Sequence, residues 1–81
     1  MLSVYQQRMI ALEAIGHLTA EAARIENERE LAVAEALEKG AIWPQIGEAL
    51  GVTTQAAHKR YRWLRWDLQR GLTWHERPLQ Q

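Results

Sequence analysis

Apolar residues fall at helical spacing along most of the chain. In the first 25 positions they recur at Leu2, Tyr5, Met9 and Leu12, and again at Ala11, Ile15, Leu18, Ala22 and Ile25. This is close to the three-four alternation of a packed helical seam, though it drifts between two rows. No proline interrupts Leu2 to Lys39, and Ala, Leu, Glu, Arg and Gln dominate there. The pattern predicts helix over most of that segment, capped at its start by Ser3 and long or broken near Asn27. Gly16 costs about 1 kcal/mol relative to Ala inside a helix, unless it marks a close helix crossing. Glu26, Glu28 and Glu30, clustered around Arg29, read as a solvated helix face or as the acidic first turn of a new helix. Leu31, Ala34 and Leu37 then supply one buried face, and Lys39 and Gly40 end the helix by dipole complement and C-cap.

The stretch from Ile42 to Leu64 is the best specified part of the chain. Ile46 and Leu50 stand four apart before a turn, while Ala57, Tyr61, Leu64 and Leu68 repeat at four, three and four after it. Gly51 falls where the first of these helices must stop in a left-handed conformation, and Thr53 where the second needs a capping oxygen. This is the pattern of a helix-turn-helix. The second helix is expected to run to about Arg70, with Gly71 as its stop and Leu72 turning back onto Leu68. Trp43 reads as a core plug under the preceding helix. Trp63 and Trp66 fall beside the buried stripe, so they serve an interface or are covered by the leader or the tail.

The expected fold is therefore all-α: a tri-helical helix-turn-helix unit over residues 26–72, preceded by a long N-terminal helix over 1–25 and followed by a flexible tail over 73–81. That tail carries one proline and little pattern, with Trp74 as its one anchor. On the second motif helix Thr54, Gln55, His58, Lys59 and Arg62 share an outward face. A helix so decorated suits the major groove of double-stranded DNA. Gln55 can pair with adenine, and Lys59 and Arg62 reach a guanine edge or phosphates. His58 is a groove-facing donor, and Thr53 and Thr54 hold the backbone at the helix N-terminus.

The same residues carry a resemblance. The pattern W-x-x-I-G-x-A-L-G-V-T-x-Q-A-A-x-x-R-Y, from Trp43 to Tyr61, resembles the helix-turn-helix of small bacterial DNA-binding proteins, especially those of actinobacteria and their phages and plasmids. The resemblance covers roughly Glu28 to Leu68 and implies a DNA-binding fold without naming an operator or a process. It departs from the pattern at Ile42, where similar proteins carry a capping Ser or Thr. A lost cap typically costs about 1 kcal/mol, and Pro44 in the first turn partly offsets it by pre-setting the backbone.

Charge sharpens the picture. Formal net charge is zero, but residues 1–52 hold four Lys/Arg against eight Glu, whereas residues 53–81 hold six Arg/Lys against Asp67 and Glu76. Basic charge begins with the second motif helix, so an acidic body stands behind a basic reading surface. With 81 residues and no cysteine, the chain is one small domain without disulfides or thiolate metal sites, suited to a reducing cytoplasm and the nucleoid. No apolar run approaches the roughly 20 residues needed to cross a bilayer. Catalytic chemistry has little to stand on. Ser3 is the one serine, Asp67 the one aspartate, no Gly-rich phosphate loop occurs, and His17, His58 and His75 lack metal-ligand spacing. No enzyme, cofactor or metal is expected.

The leader carries more apolar surface than one small domain covers. Leu2, Tyr5, Met9, Leu12, Ile15 and Leu18 are therefore expected to join two copies in a symmetric homodimer, matching inverted half-sites about one helical turn, roughly 34 Å, apart. The competing arrangement folds the leader back over Trp63 and Trp66. Functionally, the expectation is a sequence-specific transcriptional regulator. The alternatives are a plasmid or phage DNA-organising or partition protein, and a protein-interaction module that binds a polymerase subunit or toxin through Trp63 and Trp66.

Overall fold

In a computed structural model, described over residues 1–79, the chain is mostly helical and elongated, 57 × 31 × 27 Å. Helix α1 runs unbroken from Val4 to Glu38. Its 35 residues account for the long dimension, since a helix of that length spans about 52 Å. Ser3 caps it as expected. Its hydroxyl accepts from the Gln6 amide at 3.1 Å, and the Gln6 side chain accepts from the Ser3 amide at 2.9 Å. There is no break at Asn27.

Two eight-residue helices follow, α2 from Trp43 to Leu50 and α3 from Thr54 to Tyr61. Both turns before them are closed by the same device. Gly40 and Gly51 are left-handed, with φ of 92° and 75°. The amides of Ala41 and Val52 reach back to Ala36 and Gly47 carbonyls, each at 2.9 Å. With the Gly40 and Gly51 amides donating to the Leu37 and Glu48 carbonyls, each at 3.1 Å, they complete the paired bonds of a Schellman end, which a glycine enters at no steric cost. Ile42 offers α2 no side-chain cap, but the Gln45 side chain accepts from the Ile42 amide at 3.0 Å, so half of a capping box survives. Thr53 caps α3, its hydroxyl accepting from the Ala56 amide at 3.1 Å.

After α3 the structure departs from the sequence expectation, and the all-α reading is corrected. The helix stops at Tyr61 rather than near Arg70. Strands β1, Leu64–Asp67, and β2, Leu72–His75, form an antiparallel hairpin. The register pairs Leu64 with His75, Arg65 with Trp74, Trp66 with Thr73 and Asp67 with Leu72. Gly71, with φ 66°, closes the hairpin turn rather than a helix, and the Asp67 carboxylate accepts from the Arg70 amide at 3.2 Å to hold that turn. Thr73, Trp74 and His75, assigned from sequence to a flexible tail, therefore belong to a strand. The physical reason is alternation. Leu64 and Trp66 face the core while Arg65 and Asp67 face away, so period two wins over the four-residue spacing of Leu64 and Leu68.

The core is small: Val33 and Ala34 of α1, Ile46 of α2, Ala57 and Tyr61 of α3, and Leu64 of β1. Leu37, Ala41, Trp43, Leu50, Trp66 and Leu68 pack around it. Gly47 is buried where α2 meets the turn. A methyl group there would come within 3.0 Å of the Val52 carbonyl oxygen and 3.1 Å of that of Thr53, so any side chain would press on backbone that has to give way. Gly16, by contrast, has open space around it and marks no close crossing within one chain. The leader does not fold back. Leu2, Tyr5, Met9, Leu12, Ile15 and Leu18 are all exposed, and Trp66 is covered by the core rather than by the leader.

Candidate nucleic-acid interface

The acidic run of α1 fixes how α3 is presented. Glu26 and Glu30 lie seven residues, two turns, before Val33 and Leu37, so they point to the body rather than to solvent. One Glu26 oxygen accepts from the Tyr61 hydroxyl at 2.9 Å and the other from the Arg60 guanidinium at 2.8 Å. Burial first, and then this hydrogen bond, raise the Tyr61 phenol above its usual range, so it stays a donor. Glu30 holds the hairpin in the same way, accepting from the Thr73 hydroxyl at 2.8 Å and from His75 Nε2 at 3.0 Å. Burial alone would push the Glu30 carboxyl up. The hydrogen bonds from His75 and Thr73, with the charges of His75 and Arg60, outweigh it and hold the group below the usual carboxylate range. Glu28 alone of the three keeps to the solvated face, paired with Arg24 at 2.6 Å.

With Ala57 and Tyr61 buried, the opposite face of α3 is open. Thr54, Gln55, His58 and Lys59 are exposed on it, and Arg62 continues it one residue past the helix end. All six expected residues are thus brought together, with Thr53 serving as the cap. Two are also braced. The His58 ring stands edge-on to Trp43, with centroids 5.2 Å apart, and the Arg62 guanidinium lies 4.9 Å over the Trp63 ring. Trp43 is half-buried against the core as expected, so its exposed edge serves as the rest for His58.

The hairpin adds residues that the sequence reading assigned to a helix or a tail. On its outer face Arg65 and Trp74 are cross-strand neighbours, and both are exposed. Arg77, Pro78 and Leu79 run beside Arg62 and Trp63, lining an open hollow of about 270 Å³, and the Glu76 amide donates to the Trp63 carbonyl at 2.9 Å. The tail, not the leader, is what lies near Trp63. Among the described residues, ion pairs of the C-terminal third are confined to Arg60 with Glu26, Arg70 with Asp67 and His75 with Glu30. Lys59, Arg62, Arg65 and Arg77 have no carboxylate partner there, so their charge faces outward. No cluster of three or more metal-binding side chains occurs among the described residues, and no helix is long and apolar enough to cross a membrane.

Compared with known proteins, the chain matches no family model, no curated protein and no solved structure.

Proposed function

We infer that this protein binds double-stranded DNA in a sequence-dependent manner, as a transcriptional regulator acting at the nucleoid. Helices α2 and α3 act as a helix-turn-helix, and the hairpin serves as a wing beside it. The observation that carries the reading is the division of α3 into two faces. Ala57 and Tyr61 are locked into the body, while Thr54, Gln55, His58 and Lys59 stand in solvent in one row. A helix held this way has the width to enter a major groove, where Gln55 matches the donor and acceptor pair of adenine and Lys59 and Arg62 neutralise phosphates or reach guanine. Arg62 and Arg65, without a carboxylate partner among the described residues, extend the surface past the C-terminal end of the row toward the backbone of the duplex.

Selection of bound sites from random duplex DNA tests this. A recovered motif supports the regulator. Retained DNA without a motif points to DNA organisation by the same basic surface. No retention at physiological salt would overturn DNA binding and leave a protein-interaction module.

A further inference from the structure

The first 25 residues pose a separate problem, because α1 continues for about six turns beyond the body with none of the other described elements packed on it. Nine large apolar side chains from Leu2 to Ile25 are between 40% and 73% exposed. A solitary helix of that length is marginal in water, and an apolar face of this extent on a soluble chain marks an interaction surface. The face has a definite direction. Ile15 lies 18 residues, five full turns, before Val33, and Leu12 the same distance before Glu30. The apolar arc of the leader therefore prolongs the side of α1 on which its own body sits, as a core strip left without its cover.

Charge says what covers it. Arg8 is the one charged side chain in residues 1–12 and lies in the apolar arc, in line with Val4, Ala11 and Ile15. Toward the other end of the leader, Glu26 and Glu30 are taken up by the body, whereas Glu21 and Glu28 stay open to solvent and share the single Arg24. Two leaders side by side in parallel would set Arg8 against its own copy. Laid antiparallel, they bring Arg8 of each copy to the solvent-open Glu21 of the other and also oppose the helix dipoles. We propose that the leaders of two copies pair antiparallel along residues 4–25, crossing near Ile15, to form a symmetric dimer with one body at each end.

This dimer stands whether or not α3 binds DNA. If the DNA reading also holds, the two bodies lie roughly 50 Å apart along the leader axis, at 1.5 Å per residue. That is wider than the single helical turn expected from the sequence.

The absence of cysteine makes single-cysteine variants of the full chain clean reporters. Light scattering at micromolar concentration should give twice the 9.4 kDa chain mass. Leu12→Glu with Ile15→Glu should return it to the chain mass while α-helical circular dichroism from the body persists. Under mild oxidation, Ile15→Cys should cross-link to itself. Val4→Cys alone should not, but mixed with Ile25→Cys it should. A monomer by scattering, a dimer that survives the double glutamate variant, or self-linking of Val4→Cys would each overturn the proposal, the last by showing parallel leaders.

Discussion

The Tyr61 hydroxyl donates to Glu26 across 35 positions of sequence, at 2.9 Å, and this one bond joins the buried side of α3 to the long helix behind it. Glu26 is about one-third exposed and also binds Arg60, so its charge stays solvated on one side and paired on the other. Tyr61→Phe should therefore cost about 1 kcal/mol, the net worth of an ordinary intramolecular hydrogen bond, because water screens the charge on Glu26. Glu26→Ala should cost more, because it also releases Arg60. Urea midpoints of the two single variants and the double variant measure the coupling. Simple additivity would mean that the bond does not hold α3 in place.

Glu30 supplies a pH dependence. Its folded pKa lies below the usual carboxylate range, so its contribution to stability is complete above that range and is lost as pH falls through the depressed folded value. The wild-type chain should lose urea resistance on acidification from pH 6 toward pH 3 more steeply than Glu30→Gln. Parallel losses in the two proteins would show that the Thr73 and His75 bonds do not tie the hairpin to α1.

Two glycines in the turn region are needed for different reasons, and substitutions separate them. Gly51 has open space but a φ of 75°, whereas Gly47 has ordinary helical backbone and carbonyl oxygens at 3.0 and 3.1 Å from any added methyl. Gly51→Asn should be mild, because Asn tolerates the left-handed region, while Gly47→Ala should cost about 1 to 3 kcal/mol through overpacking. Thermal unfolding compares them. The reverse order would place the constraint in the backbone rather than in the packing.

Ile42 occupies a cap position in extended conformation, φ −106° and ψ 159°, with its side chain mostly in solvent. Ile42→Thr should stabilise the protein by about 1 kcal/mol by restoring the missing oxygen for the first turn of α2. An unchanged unfolding midpoint would indicate that Gln45 and Pro44 already make up the whole deficit.

The caps and the outward row of α3 were legible in the sequence because their chemistry is local. Ser3, Gly40, Gly51 and Thr53 each do what their residue type does within a turn of themselves. The hairpin was harder. Leu64 and Leu68 satisfy a helical period, and Arg65, Gln69 and Arg70 are good helix formers. The competing signal lay in the alternation of Leu64, Trp66 and Leu68 with polar residues, and in the β-favouring Thr73 and Trp74 after Gly71. Its outcome is decided by tertiary contacts, since Leu64 and Trp66 reach the core and Thr73 and His75 reach Glu30 only from a strand pair. The anchoring roles of Glu26 and Glu30 could have been found from their two-turn distance to Val33 and Leu37. A clustered acidic run hid them, because Glu28 between them does face water.

A fluorescence anisotropy titration of Gln55→Ala and Lys59→Ala against a selected duplex and a scrambled one, over a range of salt, tests whether α3 reads DNA. Gln55→Ala should lose about 1 to 3 kcal/mol on the selected duplex and nothing on the scrambled one. Lys59→Ala should weaken both alike and lower the salt slope by about 1. Equal losses on the two duplexes for Gln55→Ala, or a wild-type protein that binds neither, would contradict the account of α3 as a reading helix.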